Sequence, residues 1–163
     1  MITAALMTAI ICILAPIVIP VGPVPVSLAT FVIMLAVMLL EYKAALACVV
    51  LYILLGTLGL PVFSGFSGGL AKIAGPTGGY IIGYIVLAAV AGLFARKGFV
   101  RELIGLIVGN ILLYVQGTLW LGYQMGIPFS QALILGVVPF LIGDGVKIAA
   151  VMIVFPMIRK RLS

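Results

Sequence analysis

Histidine is absent from the 163 residues, and only three side chains are acidic against nine lysines and arginines. The two cysteines, Cys12 and Cys48, lie in separate apolar runs with no CxxC or ligand-like spacing. Neither a metal site nor a disulfide is expected, and the thiols read as inert packing residues. GGLAK lacks the G-x-x-x-x-G-K-[ST] spacing, so the chain should not hydrolyse ATP. No HExxH, no GxSxG and no close carboxylate pair occurs, which makes this a chain built to bind, not an enzyme. Charge of either sign is scarce: 7% of residues are charged, against about 25% in soluble domains.

What fills the space is hydrocarbon. Sixty-six per cent of residues are hydrophobic, more than a soluble core of this size could use. At about 20 residues per spanning helix the length fits one all-α domain, residues 1–163, of six transmembrane helices. The apolar runs predict helices over residues 2–19, 27–40, 44–60, 80–95, 102–123 and 131–158. The first run lacks a basic n-region and a small-residue cleavage site, so it reads as a retained helix. Strands are not expected, because no run alternates with period two. Pro20, Pro23 and Pro25 block a regular helix between the first two spans, and the glycine-rich segment 61–79 separates the third from the fourth.

Orientation follows from the basic residues. With both termini cytoplasmic, Lys43, Arg96, Lys97, Arg101, Arg159, Lys160 and Arg161 all fall inside and Lys72 alone outside, as the positive-inside rule requires. The formal net charge of +6 is then a matter of anionic membrane lipid, and nucleic acid is not an expected partner. Both irregular segments fall on the outer side. Segment 61–79 reads as a lid or plug, anchored by Phe63, Phe66, Leu70 and Ile73, or as a mobile connector in water.

Within the sixth span stands GDGVK. Asp144 and Lys147 are i and i+3 and leave the same helical face. Ionisable residues inside a span are costly and usually mark a site or pathway; the bland reading is a self-neutralising pair that sets helix packing. A carboxylate beside an ammonium suits a small polar heterocycle or a zwitterion. Asn110, Tyr114 and Thr118 share a face of the fifth helix, near Gln116 and Trp120, and serve either as a cavity wall or as interhelical hydrogen bonds. On the first helix, Ala5 and Ala9, with Ala4 and Thr8, form small-xxx-small pairs that admit a close helix, from the bundle or from a partner.

LGLPVFSGFSGG leading into AGPTGGYIIGY, together with PFLIGDGVKIA and VGPVPVSLATF, resembles the BioY family, the biotin-specific substrate-binding (S) components of energy-coupling factor (ECF) transporters. The matching segments run from the first helix to the sixth, although Ala29 replaces a glutamine usual in the family. The resemblance implies a multi-pass prokaryotic plasma-membrane protein that binds biotin with high affinity from outside and uses no cofactor. It implies a transmembrane coupling protein and two ABC ATPases as partners, with Ala5 and Ala9 facing the coupling protein. Asp144 and Lys147 would meet the ureido ring. Asn110, Tyr114, Thr77, Gly78, Gly79, Tyr80, Phe63 and Ser64 would complete the ligand site. Rival readings are an S component for another vitamin, such as thiamine or riboflavin, and a stand-alone small-solute carrier.

Overall fold

The structure is a computed structural model that describes residues 2–20 and 22–162, the side chain of residue 162 excepted. Met1, Val21 and Ser163 of the expected domain lie outside the described residues. In chain order the elements are α1 (Ile2–Leu14), β1 (Val18–Ile19), β2 (Val26–Ser27), α2 (Ala29–Leu39), α3 (Tyr42–Thr57), α4 (Leu70–Ala74), α5 (Gly78–Phe94), α6 (Phe99–Met125), α7 (Phe129–Gly136) and α8 (Val138–Leu162).

Proline explains the two largest departures from the expected helices. The first helix stops at Leu14 rather than near residue 19, because Pro16 has no N–H and its ring clashes with the carbonyl four residues back. The chain then runs extended and pairs antiparallel with β2, Val18 opposite Ser27 and Ile19 opposite Val26. Strands were not expected there. They form because a segment that proline bars from a helix still has to satisfy its backbone, and Leu28 N–H extends the pairing onto the Ile17 carbonyl at 3.2 Å.

The expected last helix is likewise not continuous. It breaks at Val137 (φ −128°, ψ −51°) into α7 and α8. Pro139 cannot donate to Leu135, and Phe140 N–H turns instead to the Val137 carbonyl at 2.9 Å. Segment 61–79 also differs from a plain loop. It contains α4, and Gly78 and Gly79 already belong to α5.

Core position follows from composition along each helix. α2 is apolar all round, and Ala29, Val32, Ile33, Met34, Ala36, Val37 and Met38 are all buried, so it is the central helix. α5 and α6 pack most intimately. A Cβ on Gly79 would collide with Trp120 and one on Gly117 with Tyr80, Gly83 and Gly105 meet Leu113 and Phe94 nearly as closely, and Gly109 lies tight against Leu87. Gly79/Gly83 and Gly105/Gly109 each repeat at spacing four, the small-xxx-small geometry that brings helices together in lipid. Two helices, Phe99–Met125 and Val138–Arg161, are long and apolar enough by themselves to cross a bilayer; Ile2–Leu14, Ala29–Leu39, Tyr42–Thr57 and Gly78–Phe94 are shorter apolar helices.

Candidate functional site

Asp144 and Lys147 sit one turn apart on α8 and form an ion pair, Nζ to Oδ1 at 2.7 Å, with only 3% of the Asp144 side chain exposed. Two buried charges are tolerated only if their other hydrogen-bonding groups are also satisfied. Here they are. Lys147 Nζ donates to the Ser27 carbonyl at 2.7 Å and to Thr30 Oγ1 at 2.9 Å, so its three N–H groups each have an acceptor. Thr30 Oγ1 in turn donates to Asp144 Oδ1 at 3.2 Å, and Tyr114 Oη donates to Oδ2 at 2.6 Å. Four elements therefore meet at one polar knot: β2, α2, α6 and α8.

Around the knot lies a cavity of about 30 Å³, lined by Val24, Pro25, Tyr80, Tyr84, Leu113 and Phe140 in addition to the polar groups. Its lining is largely aromatic and aliphatic with a few polar groups, the composition that aligns a ligand by a few polar contacts. The volume is about that of one water. Admitting anything larger requires the walls to move; on the hairpin side the bond from Lys147 Nζ to the Ser27 carbonyl ties β2 to α8.

Of the residues predicted for the site, Asp144, Lys147, Tyr114 and Tyr80 are brought together at this cavity. Tyr80 spends its hydroxyl on the Gly136 carbonyl at 2.8 Å, an acceptor freed by the break between α7 and α8. The other predicted residues do not line the cavity. Phe63 is buried against Gly56, its ring edge-on to Tyr52 at 5.6 Å. The Ser64 carbonyl accepts from Ser67 Oγ at 2.8 Å. Thr77 stands, buried, at the position before α5 without a capping side-chain bond, Gly78 packs on the Ile73 backbone, and Gly79 packs on Trp120. Asn110 is buried one turn from Tyr114, and its Oδ1 has no hydrogen-bond partner.

Segment 61–79 is pinned at both ends. Gly65 N–H donates to the Pro16 carbonyl at 3.0 Å and Gly69 N–H to Gly56 at 2.7 Å. Trp120 Nε1 donates to the Gly75 carbonyl at 2.9 Å and Gln124 Nε2 to Ala74 at 2.6 Å. Thus the cavity wall on the hairpin side comes from residues 24–27, not from 61–79. Ser27, Thr30, Val24, Tyr84 and Phe140 were missed in the sequence. The available signal was that Ser27 and Thr30 are the hydroxyls of VGPVPVSLATF, three apart at the lead-in to an otherwise apolar helix.

An apolar helical protein that holds a paired polar knot between its helices has the build of a membrane transport component. The sequence profile of the BioY family matches residues 1–163, and the chain belongs to that family. It is 43% identical over 150 residues to a probable biotin transporter BioY from Pyrococcus horikoshii, covering 92% of this chain and 90% of that one. It is 36% identical over 162 residues to the biotin transporter BioY of Thermotoga maritima, covering 98% and 95%. Among solved structures it is similar to the S-component for biotin from an ECF-type ABC transporter, with TM-score 0.90 and 35% identity over 98% of this chain and 89% of that one.

Proposed function

We propose that this chain is the biotin-binding S component of an ECF-type vitamin importer, taking biotin from the outer side and delivering it with an ATP-driven module. One observation carries the ligand assignment: an ion pair whose carboxylate and ammonium line the same aromatic-walled space. The ureido ring of biotin has two N–H donors and one carbonyl. Asp144 accepts the former and Lys147 donates to the latter. Binding is then an exchange. Biotin takes over bonds that Tyr114, Thr30 and the Ser27 carbonyl hold in its absence, and the hairpin yields to admit the ring. Asn110 Oδ1, a buried acceptor without a donor, is the next group available as contacts rearrange. The valerate chain lies along apolar walls, its carboxylate toward the outer mouth, where Lys72 and the backbone of residues 75–79 stand.

Six spans with both termini cytoplasmic make the same proposal at the level of topology. α1 alone reaches about 20 Å, less than the roughly 30 Å hydrocarbon core. The extended residues after it, at about 3.3 Å each, bring the chain to the far side with its backbone paired in the hairpin. The proposed partners are a transmembrane coupling protein, met through the outward face of α1 at Ala5 and Ala9, and two ABC ATPases, which would supply the Walker A motif that this sequence lacks.

Titration calorimetry on the purified chain tests the ligand. Asp144→Asn and Lys147→Ala each leave a buried partner unpaired and should weaken biotin binding by about 30-fold or more, while thiamine and riboflavin give no signal with any variant. Wild-type affinity in both variants would remove the pair from the site.

A further inference from the structure

Behind the substrate pair, on the outer flank of α8, runs a groove of about 480 Å³ between Phe99, Leu103 and Ile107 of α6 and Gly145, Ala149 and Ile153 of α8. It is open because α8 leans on α2 and touches α6 little, and because nothing lies within 4 Å of where a Gly145 side chain would begin. On α8 the groove-lining positions recur at helical spacing, 145, 149 and 153, and the same stripe continues through Pro156 to Arg159 and Lys160. Beyond it, Pro156, Arg159 and Lys160 border an open recess on the flank of α8.

Length and charge together identify an occupant. From Gly145 to Pro156 the helix rises about 16 Å, half of a hydrocarbon core roughly 30 Å thick. The groove is therefore about one leaflet long and leads to the exposed basic side chains of α8, with Lys97 and Arg101 of the adjacent α5–α6 turn and first turn of α6 at the same end. We propose that it holds one anionic phospholipid, an acyl chain in the apolar groove and the phosphate on Arg159 and Lys160. The lipid would brace α8 from behind. Gly145 sits between Asp144 and Lys147 in the chain, so occupancy of the groove bears on how the pair is presented to the cavity. The proposal does not depend on which solute the cavity takes.

Native mass spectrometry of the full chain tests this directly, with phosphatidylglycerol and phosphatidylcholine of identical acyl chains offered in equal amount. One tightly retained phosphatidylglycerol per chain is expected, favoured roughly 30-fold, the factor two interfacial basic side chains supply. Arg159→Gln with Lys160→Gln should bring the two lipids level, and Ala149→Trp should reduce retention of both by filling the groove. Equal retention of the two lipids by the wild type, or an unchanged preference in the double glutamine variant, overturns the proposal. So does a dimer that Ala149→Trp dissociates, which would make the groove a contact between copies of the chain.

Discussion

Thr30 carries more of the site than its size suggests. Its hydroxyl accepts from Lys147 and donates to Asp144, so it holds both charges in register. Thr30→Val keeps the shape and removes both bonds, leaving a lysine N–H without an acceptor in a buried site. The expected result is about 1–3 kcal/mol lower stability of the ligand-free chain, read by thermal unfolding, with biotin affinity raised because the bonds that biotin displaces are already gone; Thr30→Ser restores both. A valine variant with wild-type stability and affinity would show that the hydroxyl is dispensable. Asp144 and Lys147 were legible in the sequence because two charges one turn apart in an apolar run stand out, whether as a site or as a pair that sets helix packing. Thr30 was not, because a threonine in a membrane helix is ordinary and its partner is 114 positions away. Only the fold brings them within reach. Asn110 and Tyr114 illustrate the same divide: their shared helical face was readable, but not that Tyr114 alone would reach the carboxylate.

At the scale of elements, periodicity located the apolar helices, while the backbone exceptions were set by single prolines whose consequence depends on what is nearby to pair with. Pro16 ends α1, yet whether the freed chain becomes coil or hairpin is decided by the second extended segment at Val26–Ser27. The glycines of AGPTGGYIIGY invited a reading as lid flexibility. Gly79 is instead a contact surface, because Trp120 stands where its side chain would be. On α1 the two small-residue pairs separate cleanly. Thr8 donates to the Ala4 carbonyl at 3.0 Å and Cys48 Sγ approaches the same oxygen at 3.1 Å, so that face is turned into the bundle. Ala5 and Ala9 are exposed. An exposed small-xxx-small stripe admits a partner helix at close range. Tryptophan at both positions should therefore abolish co-purification with the coupling protein and leave biotin titration unchanged. Intact complex formation would assign the stripe to lipid.

The whole molecule is electrically lopsided in a way that bears on its orientation. Arg96 donates through Nη2 to the Leu39 carbonyl at 3.0 Å, and its backbone N–H donates to buried Glu102 at 3.0 Å. These bonds lock the α2–α3 and α5–α6 turns into one end of the bundle, which gathers Lys43, Lys97 and Arg101. α8 runs alongside α2 and brings Arg159, Lys160 and Arg161 to that same end, where they also complement the negative pole of the helix. Lys72, on α4, is at the opposite end, beside the α6 residues Trp120 and Gln124 that hold the carbonyls after it. Basic residues collect on the cytoplasmic side of membrane proteins because anionic lipid and the insertion machinery retain them there. In a background with Cys12 and Cys48 replaced by serine, Lys72→Cys should react with an impermeant maleimide on intact cells. Lys97→Cys should react only after the membrane is opened. The reverse pattern would invert the molecule, put the hairpin and cavity mouth on the cytoplasmic side, and make capture of an external solute by this route physically impossible.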